Sequence, residues 1–61
     1  MRKFIFIYSE MIGDADAIPV AKLIKADILT DALYKFDMFL MRERFENALA
    51  EYKLIQITIS V

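Results

Sequence analysis

The sequence predicts an α+β fold: a ββαβ chain whose three-stranded, mainly antiparallel sheet has the order 2-1-3, with one long helix packed on one face. Three observations lead there. Phe4 to Tyr8 is an uninterrupted apolar run, Tyr34 to Tyr52 carries an apolar stripe at helical spacing, and Ile55 to Val61 alternates apolar with polar residues.

The first run is too short for a helix and rich in β-formers. It reads as a strand covered on both sides, hence the centre of its sheet. Gly13-Asp14-Ala15-Asp16 is the turn-like cluster that follows, with the sole glycine and two turn-favouring acids. Ile18 to Ala26 reads as the second strand, with Pro19 at its start or on an edge. In that strand Val20, Lys22, Ile24 and Ala26 share one face, and Ala21, Leu23 and Lys25 the other. A helical reading of the stretch, capped by Asp16 with Pro19 in the first turn, is disfavoured because Lys22 and Lys25 interrupt its apolar stripe.

Thr30 is positioned to cap the helix, Asp31 to meet the positive end of its dipole, and Leu29 with Tyr34 to form a hydrophobic staple. From there to about Tyr52 the chain has no Gly or Pro. Tyr34, Met38, Met41, Phe45, Ala48 and Tyr52 are spaced four, three, four, three, four, which predicts that this side faces the sheet. On the same wheel Phe39 falls on the far side, flanked by Phe36 and Leu40. The last strand, Leu54 to Val61, sets Ile55, Ile57, Ile59 and Val61 on a buried face and Gln56, Thr58 and Ser60 on a wet one. A helix that crosses back over the sheet lays this strand antiparallel beside the first. The whole of 1–61 reads as a single small domain.

Composition narrows the function by subtraction. Hydrophobic residues make up 59% of the 61, more than one small core readily hides, and the surplus predicts a surface covered by another chain. The chain has no Cys and no His, so it offers no disulfide framework, no thiolate metal site and no imidazole base for a nucleophile. No catalytic signature and no cofactor are expected. Asp14 and Asp16 read as a solvated turn, since a calcium loop needs more ligands at set positions. With eight basic and nine acidic residues and no basic cluster, nucleic-acid binding is disfavoured. The opening Met1-Arg2-Lys3 and five apolar residues stop short of the roughly 7–15 of a signal core, and no window approaches a membrane span. These features point to a cytoplasmic chain without a membrane partner.

The expected function is therefore that of a small non-enzymatic interaction or regulatory protein, working as a homodimer or higher oligomer or on another protein. Size alone associates such chains with phage and other mobile-element accessory or inhibitory proteins. The candidate interface is the Phe36, Phe39 and Leu40 flank of the helix, together with Phe4, Phe6 and Tyr8 on the uncovered face of the first strand. The alternative is an oligomer that holds a nucleotide or other anion between subunits. Its candidate ligand residues are Tyr34, Tyr52, Arg44 and Asp37, because stacking rings and a few cations suit base and phosphate recognition.

Overall fold

The computed structural model describes residues 1–60; Val61, expected in the last strand, lies outside the described residues. Four elements follow one another: β1 (Arg2–Ile12), β2 (Ile18–Ala26), α1 (Leu29–Glu46) and β3 (Ala50–Ser60). The sheet has the expected order β2-β1-β3, and both pairings are antiparallel. The central strand is thus the one whose apolar run needs neighbours on both edges.

β1 and β2 form a hairpin in register from Arg2↔Ala26 to Glu10↔Ile18. Its loop turns at Gly13, whose φ of 60° is open to glycine without Cβ strain, and Ala15 N–H closes the turn on the Ile12 carbonyl at 3.1 Å. β1 extends four residues beyond the apolar run, and that extension decides where α1 must stop. Glu10 pairs with Tyr52 and Ile12 with Ala50, so β3 begins four residues earlier than its alternation suggests.

The helix accordingly ends at Glu46, with Asn47 as C-cap, and Tyr52 belongs to the sheet. The residues Ala48 to Tyr52 are acceptable helix formers, but pairing with a long central strand overrides that weak preference. The other end also differs from expectation. α1 starts at Leu29 after an extended Ile28 with no side-chain cap, so Thr30 lies inside the helix; Asp31 still sits in the first turn. Only Asp27 and Ile28 separate β2 from α1, and so short a connection fixes how the helix is rotated as it lands on the sheet.

That rotation is opposite to the one the apolar stripe suggests. Ala32, Phe36 and Leu40 are the buried helix residues, and Phe39 packs half-buried beside them. They meet Phe4, Phe6 and Tyr8 of β1 and Ile24 and Ala26 of β2. Phe36 stacks on Phe6 with centroids 4.4 Å apart and meets Tyr8 edge-on at 5.5 Å. Phe4 and Phe6 are fully buried. The Ala32 methyl lets the helix backbone approach the sheet, while the rings fill the space on either side. Lys35 adds a polar tie, its ammonium donating to the Lys25 carbonyl at 2.7 Å.

Candidate functional site

Chemistry-bearing side chains do not converge anywhere in this molecule as conspicuously as apolar ones fail to be covered. Among the described residues, no group of three or more acidic side chains is placed to hold a metal ion, and no helix is long and apolar enough to cross a membrane. Interest falls on the two outer faces.

The outer face of α1 carries Tyr34, Met38, Met41 and Phe45, which are 68%, 49%, 60% and 91% exposed. At about 100° per residue these four lie roughly opposite Phe36 on the wheel. The helix therefore has two apolar sides, and the regular four-three-four stripe is the one turned to solvent. Leu49, just past the helix, continues the exposed apolar surface at 72%.

The face of the sheet away from the helix is set by the register. Ile5 lies between Leu23 and Thr58, and Ile7 between Ala21 and Gln56. Ile5 and Ile7 are half-buried by their neighbours, Leu23 is exposed, and Gln56 Nε2 donates to Thr58 Oγ1 at 3.0 Å. A register shift opposite Ile7/Tyr8 leaves Ile55 unpaired, because Leu54 faces Tyr8 and Gln56 faces Ile7. That break in alternation explains why Ile55 is exposed; Ile59, at the sheet edge, is exposed as well, and Ile57 packs against the core.

The candidate residues fall into three groups. Phe4, Phe6, Tyr8, Phe36 and Leu40 are buried between helix and sheet within one chain, so they offer no surface to a partner. The uncovered face of β1 is that of Ile5 and Ile7 instead. Phe39 is half-buried, edge-on to Tyr8 at 6.2 Å and capped by the Lys22 ammonium 4.7 Å above its ring. Its partners are intrachain, contrary to the placement on the far side of the helix.

Tyr34, Asp37, Arg44 and Tyr52, which the sequence groups only loosely, line one depression of about 480 Å³ between α1 and β3. The Arg44 guanidinium sits 5.9 Å from the Tyr52 ring. A larger groove of about 650 Å³ runs between α1 and β2 and draws in Lys22, Lys35 and Arg42, with no acidic residue in its lining; Lys25 borders it, but register turns its side chain to the other face of the sheet. Sequence reasoning missed this cation grouping because the three are spread over 21 positions and two elements.

Burial, then the carboxylates of Glu10 and Glu43, push the Tyr8 hydroxyl above its ordinary 10.0; Tyr52 shifts the same way, by desolvation first and then Glu10 and Glu43. The fold thus favours the neutral phenol. Tyr8 contributes stability that is complete below the unfolded value and lost as pH rises through the higher folded one. Urea midpoints taken from about pH 8 to about pH 11 should fall at the alkaline end, and Tyr8→Phe should flatten that fall. An equally steep decline in Tyr8→Phe would assign the alkaline loss to other groups.

The chain matches no protein-family model, no curated protein and no solved structure.

Proposed function

We propose that this chain is a small non-enzymatic interaction protein that works as a homodimer. One observation supports the reading above the rest: the surface is too large and too apolar for a chain that stays alone. Its accessible area is 4714 Å², about 600 Å² more than the roughly 4,100 Å² expected of a compact monomer of this mass. The radius of gyration of 12.1 Å likewise exceeds the roughly 10.5 Å typical of this length. The molecule is two layers thick, 12 Å along its shortest axis, with apolar side chains on both outer sides. A standard interface takes about 800 Å² from each partner, which is the order of the excess. Symmetric dimers are the commonest way for a chain to cover such a surface. Sedimentation equilibrium across a dilution series tests the reading. A concentration-dependent mass reaching twice the chain mass is expected, and a monomer throughout the micromolar range would overturn it.

A second reading is favoured by one separate observation, the carboxylate-free groove with Lys22, Lys35 and Arg42. Cations beside the Phe39 ring and the Met38 thioether suit an anion with a flat apolar body, such as a nucleotide. A thermal-shift series with nucleotides and inorganic phosphate tests it, and the absence of any shift at millimolar ligand would dismiss it. Met38 and Phe45 line this groove and also belong to the outer helix stripe. An anion seated there and a second chain on the stripe would compete, so a bound ligand should lower the fraction of dimer.

A further inference from the structure

We infer that the dimer contact is a helix-on-helix seam, in which Tyr34, Met38, Met41 and Phe45 of one copy pack against the same four residues of the other. The inference rests on the homodimer reading and specifies which of the two open faces serves it.

Spacing is the first support. Steps of four, three and four place the residues at alternate a and d positions of a heptad, the arrangement in which side chains of one helix enter gaps between those of a facing helix. A stripe that merely covered a sheet needs no such regularity, and the sheet-facing set keeps it only from Ala32 through Phe36 to Phe39, the next step of four falling on Glu43. The seam is apolar along its whole length and spaced so that the same stripe on a second copy can interdigitate with it, which makes a second copy the occupant we assign.

Exposure is the second support. The four seam residues are open to solvent, whereas Ile5 and Ile7 at the centre of the open sheet face are already half-buried by flanking strands. That face also carries Lys3, Lys25 and Lys53 by register against the single carboxylate of Glu51, and stacking it on itself would bring a surplus of like charge together. The helix seam offers four apolar side chains 49% to 91% exposed for a second copy to cover.

Charge is the third. In heptad terms Asp37 occupies a g position, Arg44 the next g, and Lys35 and Arg42 the e positions. Antiparallel helices set g beside g, which places Asp37 near Arg44 of the other copy. Parallel helices set g beside the following e, which places Asp37 near Arg42. Either orientation gives Asp37 an arginine across the seam, twice over by symmetry.

Sedimentation equilibrium of the full chain and two sets of variants tests the seam. Phe45→Glu, at a side chain 91% exposed in the single chain, should keep the circular dichroism spectrum and raise the dimer Kd at least about tenfold. Met38→Glu should act in the same direction. An unchanged Kd in both, with dissociation by Ile7→Lys on the open sheet face, would overturn the seam while leaving the homodimer standing. A wild-type monomer would instead remove the homodimer itself. Asp37→Arg should weaken the dimer, and adding Arg44→Asp or Arg42→Asp should restore it, the effective partner giving the helix orientation. Restoration by neither would overturn the seam's charge pairing.

Discussion

Phe36→Ala should leave the chain largely unfolded. Among the described residues Phe36 is the helix ring stacked directly on Phe6, and it also meets Tyr8 and Phe39. Truncating a buried Phe to Ala costs about 3–5 kcal/mol, from lost transfer energy and the cavity that remains. A core this small rarely supplies more than about 3–5 kcal/mol in total. The loss is therefore comparable with the whole margin. Far-UV circular dichroism with urea denaturation reads it, at one fixed protein concentration because association adds to apparent stability. A midpoint close to that of the wild type would mean that Phe36 does not anchor the helix to the sheet.

Ala32→Leu should destabilise by the opposite route, overpacking. Ala32 has no exposed surface and belongs to the buried cluster that includes Phe4 and Ile24 of the sheet. Three added carbons have no space there, so α1 must lift or tilt, at a cost of about 1–3 kcal/mol. The same urea titration measures it, and the aromatic near-ultraviolet signal should shrink as Phe36 parts from Phe6. Helix propensity does not account for a loss of that size, because Leu ranks just below Ala as a helix former. A stabilised Ala32→Leu variant would show that the interface has room that the packing around Ala32 denies.

The two predictions single out residues of different standing in the chain. Phe36 belongs to a segment, Phe36 to Met41, that is apolar on nearly every side. Ala32 shares the helical spacing of Phe36 and Leu40, but as an alanine it does not stand out, and its importance comes from what lies across from it. Similarly, the ring environment of Tyr8 joins β1, α1 and β3, bringing Phe36, Phe39 and Tyr52 together from three elements. No local window contains that cluster.

Much of the architecture was legible before the structure. The apolar run of β1 implied a central strand, the mixed faces of Ile18 to Ala26 implied a strand with Lys22 beside Val20, Ile24 and Ala26, and the pairing agrees in both cases. Legibility failed where two patterns of equal quality competed. Along α1 the regular stripe and the set at Ala32, Phe36 and Leu40 both satisfy helical periodicity, and period alone carries no sign to say which side turns inward. In β3 the alternation was real from Ile57 onward, but the unpaired Ile55 breaks it and is exposed where it read as buried. The candidate interface failed for the same reason as the stripe. Assigning Phe36 and Leu40 to the outside followed directly from placing Tyr34 and Met41 inside.

By itself, then, the sequence determined the kinds of element, their order, the central place of β1 and the surplus of apolar surface. These depend on short-range spacing, on composition and on the hydrogen-bonding needs of a doubly flanked strand, all of which are written locally. Tertiary structure alone decided the end of α1 at Glu46, the rotation that buries Phe36, and the exposure of Tyr34, Met38, Met41 and Phe45. Those outcomes depend on how far β1 runs, on a two-residue connection and on whether a ring finds a ring across the layer. Each is a relation between distant residues, and a periodicity within one segment holds no information about it.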